Sequence, residues 1–106
     1  MSTSAGIALD VDLVRVLAEP VRAAMVRALA TEQLCTCHLV EITGAKQTNV
    51  SNHLRVLREA GIVEAQPAGR YTYYGLRPEV MERLARQFGE LAEAARAATA
   101  VRRPCD

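Results

Sequence analysis

The chain has 106 residues, half of them apolar, and carries a formal net charge of +1 with three Cys, one Phe and no Trp. A chain of this length folds as one domain, and its apolar runs fall short of the roughly 18 residues needed to cross a membrane. No basic segment typical of an exported protein opens the chain. We therefore expect a cytoplasmic protein whose few cysteines do not form a disulfide framework.

Two helices are predicted in the first third of the chain. The first covers residues 11–17 and can be capped by Asp10 or Asp12. The second begins at Pro20, because proline lacks the N–H that a first helical turn leaves unpaired. Residues 1–9, which are small and polar, are expected to form a flexible leader.

A third and a fourth helix follow at residues 36–43 and 47–60, and only three residues join them. Gly44 suits the end of the third helix because glycine tolerates left-handed dihedrals. Two helices joined this tightly are typical of a helix-turn-helix. His53 lies at the border of the apolar stripe of the fourth helix and is expected to pack or to form a hydrogen bond. We expect that stripe to be buried: Val50, Leu54 and Leu57.

A β-hairpin is predicted after the fourth helix. Two β-like runs, residues 62–66 and 70–76, surround a predicted turn at Pro67, Ala68 and Gly69. A hairpin at this place is the wing of a winged helix-turn-helix. The predicted fold class is therefore mainly α with a small β-hairpin.

The last predicted helix begins at Pro78 and ends near Thr99. One domain of this size leaves its apolar seam without enough partners, so we expect the first and last helices to form a dimer interface. The dimeric DNA-binding domain would then cover residues 10–99, and residues 100–106 would form a tail that carries Cys105. The seam consists of Val80, Leu84, Phe88, Leu91 and Ala95.

Basic residues are concentrated in the middle of the chain, with five of them against two acidic residues between Gly44 and Arg77. Such a region is a candidate for binding a polyanion. An ordinary solvated helix face would also be polar, but the adjoining helix-turn-helix and basic hairpin favour double-stranded DNA. The fourth helix offers side chains suited to base edges in the major groove: Gln47, Thr48, Asn49, Ser51, Asn52 and Arg55. Three flanking cations suit phosphates: Lys46, Arg58 and Arg70.

Four stretches together resemble the arsenic-responsive repressor (ArsR/SmtB) family of winged-helix metal sensors: "LAEPVRAAMVRAL", "LCTCHLVEITG", "QTNVSNHLRVLREAGIV" and "GRYTYYGL". The resemblance covers residues 13–91. It implies a homodimer that represses its own operator and releases the DNA when a metal binds. Two recognition helices about 34 to 36 Å apart would suit a palindrome. Lys46 departs from the family, which commonly has Ser there, because a Lys side chain cannot accept from the N–H groups of a helix start.

Cys35 and Cys37 are separated by one residue at the start of the third predicted helix. Within the family, such a pair resembles the motif that senses arsenite and antimonite, which implies As(III) or Sb(III) as inducer and no organic cofactor. Residues two apart on a helix differ by about 200° around its axis. We therefore expect binding to distort the first turn and to disturb the fourth helix through the short connection. The N–H groups at the helix start are expected to favour the thiolate form of Cys37.

Trivalent arsenic prefers three thiolates, whereas zinc takes four ligands. Cys105 is the remaining thiol, and a tail of six residues reaches about 20 Å when extended. We expect Cys105 to complete the site, from the same or the other subunit, although a free tail thiol is the alternative. His38 is a less favoured ligand, because adjacent residues on a helix diverge by about 100°. The last helix has no His, which disfavours a histidine-rich zinc site there.

Two alternatives remain open. The same fold could sense zinc, cadmium or lead, or it could sense oxidation through its three thiols. In the redox case Cys105 would be the better disulfide partner, since a ring closing Cys35 to Cys37 would be strained. A small thiol enzyme is not supported, because the chain has no Cys-x-x-Cys, no Gly-rich phosphate loop and no set of nucleophile, base and acid. We therefore predict no enzymatic activity.

Overall fold

The computed structural model describes residues 6–105 and arranges them as five helices and one antiparallel hairpin. This confirms the predicted fold class of mainly α with a small hairpin. The expected leader lies mostly outside the described residues, and residues 100–105 of the expected tail are exposed. In chain order the elements are α1 (Val11–Ala18), α2 (Pro20–Leu29), α3 (Thr36–Thr43), α4 (Gln47–Glu59), β1 (Val63–Ala68), β2 (Tyr71–Leu76) and α5 (Pro78–Ala98).

The first two helices begin at carboxylate caps. Asp10 Oδ1 accepts a hydrogen bond from the Leu13 N–H at 3.1 Å, which selects one of the two predicted caps. Glu19 Oε1 accepts from the Arg22 N–H at 2.7 Å, a cap that was not predicted. Pro20 occupies the first position of α2 as expected. Each cap satisfies an N–H group that a helix start leaves unpaired, so Glu19 fixes the junction between α1 and α2.

The hydrophobic core lies where α2, α3, α4 and β1 meet. The apolar stripe predicted for α4 is buried, since none of its three residues is more than 2% exposed. Packing through that stripe anchors α4 by one side and leaves its opposite side in solvent. The largest fully buried side chains of the core are Met25, Leu39, Val50, Leu57 and Ile62.

The connection between α3 and α4 is the predicted tight turn. Gly44 has a φ of 71° and its N–H donates to the Val40 carbonyl at 2.9 Å, which ends α3 in the left-handed conformation. The Ala45 N–H donates to Thr43 Oγ1 at 3.2 Å. Lys46 then precedes α4 without a side-chain cap, as expected. The helix-turn-helix geometry therefore follows from residues adjacent in sequence.

The hairpin spans nearly the predicted residues, but β1 begins one residue later than expected, at Val63, and the loop has two residues instead of three. Pro67 and Ala68 were expected in the turn, but they belong to β1, where Pro67 pairs with Thr72. The loop consists of Gly69, which has a φ of 64°, and Arg70, which was expected to begin the second strand but lies just before it. Each strand of a two-stranded sheet has one free edge, where a proline is tolerated because its missing N–H is not needed. The wing is therefore a regular six-residue ribbon.

The helix α5 extends away from the rest of the domain. Val80 and Leu84 are buried near its start, whereas Phe88 on the same seam is 50% exposed. The longest dimension of the chain is 63 Å, against 24 and 23 Å for the other two. The second half of the seam is thus largely uncovered within residues 6–105. None of the helices described there is both long and apolar enough to cross a membrane.

Candidate functional site

Two thiols and one imidazole converge at the start of α3. The Cys35 and Cys37 sulfurs lie 2.7 Å apart, and His38 Nδ1 lies 3.2 Å from Cys35 Sγ. All three candidate ligand atoms lie within 4.8 Å of one another. Cys35 is buried, whereas Cys37 and His38 are exposed. An ion arriving from solvent would therefore meet Cys37 and His38 first and Cys35 behind them.

The two sulfurs meet because Cys35 lies outside the helix. α3 begins at Thr36, and Cys35 precedes it with extended backbone dihedrals of −90° and 172°. The angle of about 200° applies only to two residues that are both helical. The expectation that a regular first turn keeps the sulfurs apart is therefore wrong, because they converge on an intact α3.

His38 joins the cluster through a capping box with Cys35. The Cys35 N–H donates to His38 Nδ1 at 3.2 Å, and the Cys35 side chain faces the His38 backbone N–H. This reciprocal arrangement links a residue before a helix to the residue three positions later. His38 is disfavoured as a ligand only relative to its neighbour Cys37, from which it diverges by about 100° around the helix. The spacing Cys-x-x-His from Cys35 was the signal that could have included it.

The hydrogen bond between the two thiols shifts their pKa values in opposite directions. Donation from Cys37 lowers the pKa of the Cys35 thiol, and the same bond raises the pKa of Cys37. Burial opposes the change at Cys35, while backbone N–H groups at the helix start, including that of His38, reinforce it. The expectation that Cys37 becomes the thiolate is therefore wrong. The pKa is lowered at Cys35 first because its sulfur accepts from Cys37, and the backbone N–H groups at the helix start add to this effect.

The wing lies against the thiol cluster. Leu34 and Tyr74 form a β-bridge with N–H to carbonyl distances of 2.8 and 3.1 Å. The rings of His38 and Tyr73 lie with their centroids 6.4 Å apart. Between the cluster and the hairpin is an open cleft of about 320 Å³, lined by Cys35, Thr36, Cys37, Arg70, Tyr71, Thr72 and Tyr74. The cluster thus borders the wing as well as α3.

Cys105 does not join the cluster within this single chain. It lies in the exposed segment that follows α5, and the group of candidate ligands found among residues 6–105 consists of Cys35, Cys37 and His38. Ligation by Cys105 therefore stays a prediction.

Every residue expected to contact DNA is exposed. Six of them lie exposed on α4, where Thr48, Ser51, Asn52 and Arg55 are roughly opposite the buried stripe and the other two lie in the first turn. This six-residue surface is called the polar face below. Lys46 lies just before α4, Arg58 in its last turn and Arg70 in the wing loop. The polar face consists of Gln47, Thr48, Asn49, Ser51, Asn52 and Arg55.

His53 is half-buried on α4 and bonded to another helix, which confirms the expectation that it packs or forms a hydrogen bond. Its Nδ1 lies 3.2 Å from Arg22 Nη1, and its Nε2 lies 4.0 Å from Glu19 Oε2. Both partners belong to the junction between α1 and α2. The specific pairing was not predicted, because it joins residues 31 positions apart in sequence.

Comparison with known proteins identifies the family. A family model described as "Bacterial regulatory protein, arsR family" matches residues 19–65. A solved structure, "Crystal structure of Possible transcriptional regulator for arsenical resistance", is 32% identical in sequence with a TM-score of 0.69. The alignment covers 87% of this chain and 98% of that one. The chain belongs to the ArsR family of bacterial regulatory proteins.

Curated ArsR-family relatives are similar over part of their length. "Arsenic resistance transcriptional regulator ArsR1" of Pseudomonas putida is 43% identical over 65 residues, which are 60% of this chain and 51% of that protein. "HTH-type transcriptional repressor SmtB" of Mycobacterium tuberculosis is 42% identical over 65 residues, or 61% of this chain and 48% of that protein. The chain spans about half the length of these curated relatives. One name specifies arsenic and the other specifies no metal, so the similarity does not decide an inducer.

Membership of the ArsR family settles two predictions. The mainly helical winged helix-turn-helix fold is confirmed by the solved relative. ArsR-family proteins are transcriptional regulators and not enzymes, which confirms the prediction of no enzymatic activity.

Proposed function

We propose that this chain is a metal-responsive transcriptional repressor that binds a palindromic operator as a homodimer and leaves it when trivalent arsenic or antimony binds. The observation that carries the proposal is the convergence of the Cys35 and Cys37 sulfurs beside His38 Nδ1. That cluster lies at the start of α3, directly before the helix with the exposed polar face. A cytoplasmic location, where thiols stay reduced, belongs to the proposal.

The donor atoms suit a soft or borderline ion. Thiolate sulfur and imidazole nitrogen select such ions, whereas Mg²⁺ and Ca²⁺ require oxygen ligands, and the cluster contains no carboxylate. Cys35 and Cys37 supply two thiolates for a trivalent metalloid. Cys105 of either subunit is the third ligand in this proposal. With His38 in its place, the set would be better suited to zinc, cadmium or lead, which are the alternative inducers.

A change at Cys35 reaches both DNA-binding elements. An ion held by both thiolates would replace the direct contact between the Cys35 and Cys37 sulfurs with bonds to itself, so the two side chains would take new positions on binding. Cys35 begins α3, and three residues connect α3 to α4. On its other side, Leu34 is bridged to Tyr74 in the wing. In this proposal, the rearrangement of the two thiols around the ion displaces the recognition helix and the wing together, and DNA is released.

The DNA surface combines the polar face with three cations. An α4 helix anchored by aliphatic residues presents hydrogen-bonding side chains to the major groove. Lys46, Arg58 and Arg70 are placed to contact phosphates on either side, which supplies much of the affinity. α1 and the uncovered half of α5 are proposed to form the dimer interface, which would present two such surfaces to a palindrome.

Redox sensing is the second candidate. One observation favours it: the Cys35 thiol has a lowered pKa and lies in contact with the Cys37 thiol. The lower-pKa thiol is the more readily oxidised one. A Cys35–Cys37 ring would be strained, so Cys105 is the expected disulfide partner. In this case oxidant, and not a metalloid, would release the DNA.

One experiment separates these functions. A duplex selected from a random library by the metal-free protein would be labelled, and its release would be followed by fluorescence anisotropy. We expect arsenite to release the duplex in the presence of an excess of a thiol-free phosphine reductant, and peroxide without metalloid to be less effective. Release by peroxide alone would favour the redox candidate. A chain that selects no duplex at all would refute DNA binding itself.

A further inference from the structure

The Arg22 guanidinium joins three elements at one point. Arg22 Nε donates to the Val16 carbonyl of α1 at 2.7 Å, and Nη1 lies 3.2 Å from His53 Nδ1 of α4. Its own backbone N–H donates to Glu19 at the junction of α1 and α2. The recognition helix is thereby bonded to α2 directly and to α1 through Arg22.

The chemistry of the two side chains shows which of them donates in the bond between Arg22 and His53. A guanidinium has only N–H donors, so His53 Nδ1 accepts from Arg22 and the ring proton lies on Nε2. That proton faces the Glu19 carboxylate, whose Oε2 is 4.0 Å away. The bond from Arg22 therefore defines the orientation of the imidazole, while the Glu19 carboxylate lies near the other ring nitrogen, beyond hydrogen-bond distance.

Aliphatic packing selects the side of α4 that is buried, but it does not alone define the exact rotation of the helix. Burial of Val50, Leu54 and Leu57 holds the helix against the core, but hydrophobic burial has no directional preference. Among the side chains of α4 in the described part of the chain, His53 is the one that forms a hydrogen bond or ion pair with another element. A directional bond near the middle of a helix opposes both rotation about its axis and sliding along it.

We propose that His53 is a positioning residue, which through Arg22 fixes the orientation of the recognition helix relative to α1. The inference rests on the proposed function, in which α1 and α5 form the dimer and α4 binds DNA. If α1 belongs to the interface, the same bond fixes the angle between the two recognition helices. Binding of both halves of a palindrome requires that angle, whereas binding of one half does not.

The variants are chosen to remove the bond while retaining the packing. His53→Leu keeps an apolar side chain of similar size and removes the acceptor. His53→Asn retains an acceptor near the Nδ1 position and should rescue. Arg22→Met removes the donor, and Arg27→Met is its matched control, because Arg27 is an exposed arginine of the same helix.

The readout compares a full palindrome with a single half-site. We expect His53→Leu and Arg22→Met to weaken full-site binding about tenfold each, the size of effect expected for one hydrogen bond to a charged group. Half-site binding should change less than about twofold, and the double variant should be no weaker than either single one. His53→Asn and Arg27→Met should stay within about twofold of the unaltered chain.

Different results would contradict the positioning role of His53 and the proposed function. Equal losses on full and half sites, or no loss with His53→Leu, would overturn the positioning role. Should His53→Leu fail to fold, His53→Gln gives the same test, because its amide reaches towards Glu19 and leaves Arg22 without an acceptor. Absence of binding by the unaltered chain would refute the proposed function instead.

Discussion

Cys35 has both a structural role and a place in the candidate metal site. Its backbone caps the start of α3, and its side chain belongs to the thiol pair. The pair itself was visible in the sequence, and so was the start of α3 at Thr36. The convergence of the sulfurs was not deduced, because it depends on Cys35 having extended dihedrals. His38 was missed for the same reason, since its role as the third member of the cluster follows from the capping box.

Substitution of either thiol should separate sensing from DNA binding. We expect Cys35→Ser and Cys37→Ser to retain DNA affinity within about twofold and to abolish release by arsenite, because a serine oxygen does not replace a soft ligand. Serine is also a good helix cap, so α3 should remain intact in Cys35→Ser. The measurement is the anisotropy titration with arsenite under reductant. Loss of DNA binding in both variants would argue against a dedicated sensing site.

The thiol pair should titrate in two steps. In a Cys105→Ser background, the first step is expected below the ordinary cysteine pKa and the second above it, because the remaining thiol stabilises the first thiolate. Cys37→Ala removes the donor and should move the titration of Cys35 to higher pH. Cys35→Ala should move the titration of Cys37 to lower pH. Thiolate absorbance against pH measures both, and two coincident steps in the intact pair would contradict the hydrogen bond.

At the scale of elements, local chemistry was sufficient for most of the fold. Helix starts at Pro20 and Pro78 and the stop at Gly44 depend on backbone restrictions of single residues, and the structure has them where they were predicted. Pro67 was misplaced because its tolerance depends on the free edge of a two-stranded sheet, which is a property of the assembled hairpin. The bond between Arg22 and His53 could not be predicted either, because it joins helices that are distant in sequence.

The recognition helix should lose affinity when its longest polar side chain is shortened. We expect Arg55→Ala to weaken operator binding by about 1–3 kcal/mol, the range for an arginine that contacts a base or a phosphate. Metal stoichiometry should not change, because Arg55 is separate from the thiol cluster. Arg27→Ala is the control, since it removes the same charge from an exposed site outside the helix-turn-helix. Equal affinities of the two variants at moderate salt would remove Arg55 from the DNA surface.

At the scale of the whole molecule, the uncovered part of α5 should control assembly. Phe88 is half-exposed on the seam, and a charge there would be buried in the proposed dimer at a high free-energy cost. We expect Phe88→Glu to produce monomers by sedimentation and to reduce binding of a full palindrome towards the affinity for one half-site. Arg86→Glu, about 200° away around the helix, should remain dimeric. A dimeric Phe88→Glu protein would place the interface elsewhere.

The number of sulfur atoms around bound arsenic tests whether Cys105 is a ligand. Absorption at the arsenic edge should show three sulfur neighbours in the intact protein and two in Cys105→Ser. An unchanged sulfur count would exclude Cys105, and a nitrogen neighbour in both proteins would assign His38 instead. The same measurement with cadmium or zinc shows whether imidazole ligation depends on the ion.

The subunit that supplies Cys105 follows from lengths within the molecule. α5 rises about 30 Å over its 21 residues, while the six residues after Thr99 extend about 20 Å, so the tail cannot return to the start of its own α5. The thiol cluster lies beside Tyr74, shortly before that start. We therefore expect the third thiolate to come from the partner subunit. Heterodimers that pair a Cys105→Ser subunit with a Cys35→Ser, Cys37→Ser subunit would then hold one complete three-sulfur site, whereas ligation within one subunit would leave none.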